Sequence, residues 1–442
     1  MSFLYIMHIT YIRLFFCILS TFIFLPSCVK HTDQSTTRPT VEVKFTQSRY
    51  QLYRHGQPYY IKGVAGTAHL YKAATYGANS VRTWDTRHAR EILDEAHQLG
   101  LTVTLGLEVG REHWGEDFDY WDDAAVKEKI EELRQIVLQY KDHPALLMWG
   151  VGNEVDLFGG DHYIVLRTID KIARMIKNTD PNHPVMTALS HGPHLNKRGI
   201  MHLLSPHVDI IGVNAFSNLP QVYHDIRHVL GWRKAYFFSE WGAPGSWDAR
   251  STEWGAPYEN SSARKAQYTQ YYTELMQQDT THCLGGYAFY WGQKYERTHT
   301  FMNLFAEDQL ETEAVQVLQT YWQGEASDNR APRIDSLLIY GTTDVRNTYL
   351  RSGEHYQAEV MAQDTDHDNL QYCWEIRHEG YSNFEPGYFY YTYDHLLETI
   401  NENTLHFKAP DQEGAYRLFV YVYDGQGHVA TQNLPFYVIP LL

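Results

Sequence analysis

Two acidic residues stand where apolar runs stop. Ala145–Leu157 reads ALLMWGVGNEVDL, uncharged until Asn153 and Glu154, and AYFF (Ala235–Phe238) runs on into Ser239, Glu240 and Trp241. An apolar strand with a carboxyl at its far end is either reaching solvent, where any polar residue would serve, or holding an acid over a cavity. The second case has a definite chemistry. Two carboxyls about 5 Å apart can break an acetal bond in two displacements. One protonates the departing oxygen while the other attacks the anomeric carbon, and water or another sugar then opens the covalent intermediate. The two proton affinities must be pushed apart, which mutual repulsion and neighbours of unequal charge achieve.

Bringing such residues together from distant parts of a chain needs a scaffold whose strand ends converge. Eight apolar runs recur: Tyr59–Gly66, Asn79–Trp84, Leu101–Leu107, Ala145–Val151, Pro184–Leu189, Val208–Val213, Ala235–Phe238 and Leu284–Tyr290. Between them, Arg87–Leu99 is an amphipathic helix stopped by Gly100. Asp122–Tyr140 repeats Val126, Ile130, Leu133, Val137 and Tyr140 at helical spacing. His162–Lys177, Leu219–Val229, Ser262–Gln278 and Leu310–Trp322 share the pattern. The order and size predict an α/β fold, a (β/α)₈ TIM barrel, whose strands are covered on both faces and so read as continuous runs. Function in such a barrel gathers at the C-terminal strand ends. In order, these carry His69, then Arg82, Trp84 and Asp85, then Glu108 and Arg111, then Asn153 and Glu154. His191, Asn214 with Phe216, Glu240 with Trp241, and Trp291 complete a cup of acids, amides and indoles.

Gln323–Ile334 (QGEASDNRAPRI) breaks the rhythm. Beyond it, short alternating stretches (EHYQAEVMAQD, LQYCWEIRH, GYFYYTYD, TLHFKAP, YRLFVYVYD, LPFYVIP) predict an immunoglobulin-like β-sandwich that lacks the two-cysteine signature. The expected organisation is a signal segment over 1–28, a linker over 29–41, the barrel over 42–323, a linker over 324–334 and the sandwich over 335–442. Leu14–Leu25 (LFFCILSTFIFL) is apolar but short for a membrane span, and it ends at LPSC. That ending resembles a bacterial lipoprotein box, which implies cleavage before Cys28 and lipidation of that residue. Val29 comes next rather than Asp, so the expected location is the cell envelope, at the outer membrane, with the lipid as the sole membrane contact. A formal net charge of −16 argues against nucleic acid as a partner. Cys283 and Cys373 fall in different predicted domains, so no disulfide is expected. No CxxC or HExxH spacing occurs, and neither metal nor cofactor is expected.

YKDHPALLMWGVGNEV resembles the fourth-strand motif of family 2 in clan A of the retaining glycoside hydrolases, where HP precedes an apolar run ending in GNE. YYIKGV, YGANSVRTW and LDEAHQLGLTV are similar to the opening strands of the same barrel, and SEWG to its seventh-strand motif. The resemblance runs from about Tyr59 to Trp291. It implies that Glu154 is the acid/base and Glu240 the nucleophile. It further implies that Asn153 bonds the sugar 2-hydroxyl, that Arg82 lies beside Glu240, and that Trp291 floors the subsite of the attacked sugar. Trp84, Asn214 and Trp241 join these as substrate-binding residues. One departure is Phe216, where many relatives place a tyrosine whose hydroxyl touches the nucleophile; Tyr290 is a candidate replacement. The layout, one barrel followed by one sandwich, is more similar to family 158 endo-glucanases and glucan-remodelling transglycosylases.

The expected partner is therefore a polysaccharide or oligosaccharide. Trp114, Trp121, Trp241, Trp247 and Trp254 fall in loops after strands three and seven and favour extended subsites over a closed pocket. Glu108, Glu112, Glu116 and Asp117 oppose a uronic acid by charge. The expectation is a retaining hydrolase of a β-linked polysaccharide, an endo-β-1,3-glucanase, with a β-mannan or β-galactan left open as the substrate. The alternatives are a β-glucan transglycosylase and a surface lipoprotein that binds glycan without cleaving it. For the sandwich, a structural role is favoured over glycan binding through YFYYTY (Tyr388–Tyr393).

Overall fold

Three strands precede the predicted rhythm. β1 (Val41–Thr46), β2 (Arg49–Arg54) and β3 (Gln57–Tyr59) form an antiparallel meander. Val41 and Leu52 are its buried residues, and they join the cluster that fills the barrel interior. The meander is tied to loops that lead into barrel strands: Val41 N–H donates to the Asn182 carbonyl, and the Arg54 guanidinium to that of Pro144. It thus plugs the N-terminal end of the barrel, opposite the strand ends that carry the acids. The computed structural model describes residues 40–111, 118–155, 162–191, 201–341, 346–379, 391–398 and 403–441. Cys28, Trp114, Glu112, Glu116 and Asp117 lie outside these.

The barrel strands are β4 (Ile61–Ala65), β5 (Ser80–Arg82), β6 (Thr102–Leu107), β7 (Leu146–Asn153), β8 (Val185–Ser190), β9 (Ile210–Ala215), β10 (Tyr236–Trp241) and β11 (Cys283–Ala288). All pairings are parallel, and β11 closes back onto β4. Helices α1 (Leu70–Thr75), α2 (Ala89–Gln98), α3 (Asp123–Tyr140), α4 (His162–Thr179), α5 (Met201–Leu204), α6 (Leu219–His228), α7 (Ser262–Met276) and α8 (Glu313–Gln323) surround it. Asp122 caps α3 by accepting from the Ala124 and Ala125 N–H groups, a contact worth about 1 kcal/mol. Two apolar layers result. Inward residues such as Met148, Met186, Phe237 and Tyr287 fill the barrel, while Trp149, Phe238, Leu166 and Val222 pack between strands and helices. Each such side chain contributes roughly 1.5–3 kcal/mol when fully buried.

The C-terminal part is a two-sheet sandwich. One sheet is β12 (Arg333–Ile339), β14 (His355–Gln363) and β16 (Thr404–Lys408). The other orders β13 (Thr348–Arg351), β18 (Val429–Ile439), β17 (Gly414–Tyr423) and β15 (Gln371–His378). Trp374, Ile376, Phe407, Leu418 and Phe436 form the core between them. β12 begins at Arg333, inside the stretch read as a linker, because Ile334 already buries against this core. GYFYYTYD is not a strand where it is described. Thr392 makes an isolated bridge to Arg377 and Asp394–Leu396 is a 3₁₀ turn.

Barrel and sandwich share a polar seam. The buried Arg417 guanidinium donates to both carboxylate oxygens of Glu379, to Asn433 and to the Pro257 carbonyl. Glu259, on the barrel side, accepts from Lys265, Thr298, Thr300 and Asn433. Residues Arg38–Leu442 accordingly make one compact unit.

Candidate active site

Both acids owe their placement to irregular strands. In β7 the pairing with β8 shifts between Gly150 and Asn153, and Gly152 takes a left-handed backbone (φ +68°). A bulge of this kind adds a residue and re-aims the side chains beyond it. Glu154 itself sits at φ +52°, an uncommon conformation for a side-chain-bearing residue. Its N–H is held by the Ala188 carbonyl at 2.9 Å. In β10 the pairing with β9 shifts between Phe238 and Glu240. Ser239 and Glu240 therefore both turn inward, and Trp241 turns out.

A chain of hydrogen bonds joins the two carboxyls. Glu240 Oε1 accepts from the Arg82 guanidinium at 2.8 Å and from the Trp84 indole N–H at 2.7 Å. Arg82 also donates to Asn153 Oδ1 at 2.6 Å. Asn214 Nδ2 donates to that same oxygen at 3.1 Å and to Glu154 Oε1 at 2.9 Å. Ser239 Oγ donates to Asn214 Oδ1 at 2.6 Å, which fixes the amide so that its NH₂ faces the acids. Arg82, Asn214 and Glu240 are buried, while Asn153 and Glu154 are partly open. The arrangement can present one acid anchored beside a cation and a second, more open acid to a ligand lying between them.

Phe216 carries no hydroxyl to offer Glu240. The Trp84 indole supplies a hydrogen bond instead, with Arg82 stacked 5.2 Å from its ring centroid. Tyr290 lies against the other part of this wall, its ring 6.1 Å from that of Trp84 at an interplanar angle of 24°. Phe289, Phe216 and Trp247 continue the aromatic wall through edge contacts.

Of the eight residues expected from sequence to catalyse or to bind substrate, Arg82, Trp84, Asn153, Glu154, Asn214 and Glu240 meet here. Two do not. Trp241 is 2% exposed and Trp291 0%, and both belong to the layer between strands and helices. Trp291 packs on Phe305 and Trp322. It therefore cannot floor a subsite; the ring at the mouth is that of its neighbour Tyr290. The chain leaves β11 after Ala288, so strand alternation no longer governs which ring turns inward. Among the rim tryptophans, Trp121 and Trp247 are exposed at 65% and 58%. Trp254 instead packs on Tyr349 and Tyr437 of the sandwich. Ser239 goes unmarked in the sequence as a contributor; its place beside Glu240 in SEWG is the signal that could have found it. Tyr290, expected for its hydroxyl, contributes its ring. His191, the residue after β8, is held by a 2.8 Å contact with Asp225 of α6.

Residues 70–324 match the model of the glycosyl hydrolases family 2 TIM barrel domain, and the chain belongs to that family. It is 25% identical to human β-glucuronidase over 160 residues, 35% of this chain and 21% of that protein. To the β-glucuronidase of Paenibacillus borealis it is 26% identical over 188 residues, 40% and 29% of the respective chains. The matched region thus spans less than a third of those relatives. Among solved structures, the β-glucuronidase of Bifidobacterium dentium complexed with coumarin-3-O-glucuronide superposes with a TM-score of 0.51. The identity is 17%, over 65% of this chain and 49% of that one. The likeness to that structure is one of fold.

Proposed function

We propose that the protein is a retaining O-glycoside hydrolase of a neutral β-linked polysaccharide, cutting within the chain, with β-1,3-glucan as the favoured substrate. The observation that supports the chemistry is the continuous network Glu240–Arg82–Asn153–Asn214–Glu154 at the C-terminal strand ends. In this reading Glu240, braced by Arg82 and Trp84, attacks the anomeric carbon. Glu154, the more open of the two, protonates the leaving oxygen and later activates water. Asn153 and Asn214 orient the sugar and the acid. Exposed Trp121 and Trp247 favour a polymer, because flat apolar rings beyond the cleavage point stack on further sugars.

A β-glucuronidase is the second reading, favoured by the activity named for the relatives. The charge pattern weighs against it. Arg82 is fully engaged by Glu240 and Asn153, and Lys294 is paired with Glu296 at 2.6 Å. A screen that measures new reducing ends across polysaccharides, run beside an aryl β-glucuronide, separates the two. A fluorinated glycoside that accumulates the intermediate should label Glu240, and Glu240→Gln, which keeps an acceptor for Arg82 and Trp84, should abolish turnover in a folded protein. Full activity in that variant would end the hydrolase reading, and products longer than the substrate would make the protein a transglycosylase. Lipidation of Cys28 and attachment to the outer membrane are part of the same proposal, tested by a mass shift that is lost in Cys28→Ser.

A further inference from the structure

A second cavity, of about 290 Å³, lies where the segment after β11 meets the sandwich. Its walls include Lys294, His299 and Asn303 from the barrel side and Glu375, Tyr421 and Tyr423 from β15 and β17. Its size is near the ~300 Å³ lower end for small-molecule sites, which limits an occupant to a short stretch of a chain. Tyr421 and Tyr423 are two apart on β17 and so share a face, their rings nearly parallel at 11°. His299 Nδ1 is buried without a hydrogen-bond partner.

The cavity is joined to the mouth. Lys294 Nζ lies 5.0 Å from the Phe289 ring centroid and 5.8 Å from that of Tyr290, so one side chain touches the aromatic wall and lines the cavity. The segment between is braced internally. Tyr290 N–H donates to the Met302 carbonyl, and Lys294 N–H to Asn303 Oδ1, at 3.1 and 2.8 Å. The charges narrow the ligand. Lys294 is balanced by Glu296, and Glu375 by Arg377 at 2.8 Å. Exposed Glu307 and Asp308 then leave the rim negative, which opposes uronates and phosphates. Among the described residues no cluster of three or more His, Cys, Asp or Glu could hold a metal ion. Acceptors beside parallel phenol rings, in a space of this size, suit the hydroxyls and flat face of a sugar.

We propose that this cavity is a second glycan-binding site, contiguous with the mouth of the barrel, that takes a neutral oligosaccharide. The proposal rests on the glycosidase reading for its choice of ligand. Titration calorimetry of neutral hexasaccharides (β-1,3- and β-1,4-linked glucose, β-1,4-linked mannose, β-1,4-linked galactose) into Glu240→Gln tests it, beside the same protein carrying Tyr423→Ala. The hexamer that binds should lose roughly tenfold in affinity in the double variant. Because Tyr423→Ala could disturb β17, Glu307→Gln with Asp308→Asn, both on an exposed turn, should give a loss in the same direction. Unchanged affinity in both backgrounds, or no binding by any hexamer, overturns the site. If the wild-type chain releases no reducing ends while the affinity differences appear, the hydrolase reading falls and the cavity stands.

Discussion

At the scale of single residues, the carboxyl of Glu240 is defined by its donors. Arg82 and Trp84 converge on one oxygen, and a hydrogen bond to a charged partner is worth about 1.5–3 kcal/mol. Replacing Trp84 by Phe keeps the ring and deletes the donor. Turnover should fall roughly 10- to 100-fold on any substrate, with little change in melting temperature; steady-state kinetics and a thermal melt measure both. An unaltered rate would mean that the indole only packs. Arg82 differs. It is buried and serves both Glu240 and Asn153, so its loss strands two polar groups and costs stability as well as rate.

At the scale of elements, the barrel was largely legible. The eight apolar runs overlap β4 to β11, because strands covered on both faces must be apolar throughout. The meander β1–β3 was not, since a sheet that plugs a barrel end with two buried side chains leaves too few apolar residues for a pattern. Catalytic candidates were legible from their motifs, but the direction of neighbouring rings was not. A bulge in β10 sends Trp241 outward, and such a shift has no composition signal. Close approach also sets position. A Cβ on Gly106 of β6 would come within 2.3 Å of the Trp84 backbone. Gly106→Ala should therefore cost about 1–3 kcal/mol and depress turnover by displacing Trp84. Chemical denaturation beside kinetics checks this, and a neutral result in both would show that the strand can yield.

At the scale of the molecule, the seam between barrel and sandwich makes stability sensitive to acid. Burial, and next the Arg377 charge, hold the His299 imidazole down to about 3, so it is neutral in the folded chain. Unfolded, it takes up a proton below its ordinary value near 6.5. The unfolded state then binds more protons, so stability is fully present above pH 6.5 and is lost as pH falls from there toward 3. His69 and His282, also held low by burial, act in the same direction. Melting temperature should drop between pH 6.5 and 4.5, and less steeply in His299→Gln; equal slopes would remove His299 from the account. Glu259 adds to the loss at lower pH. Burial alone would raise its pKa, but Lys265 and the Thr298 hydroxyl hold it below the usual range. The same seam has a consequence for inheritance. Arg417 reads a backbone carbonyl at Pro257, and Asn433 reads Glu259, so the two halves are not interchangeable cassettes. A recombination breakpoint in the stretch between them would pair one parent's barrel with a stranger's guanidinium. Viable hybrids should instead carry residues 257–300 and the sandwich from a single parent.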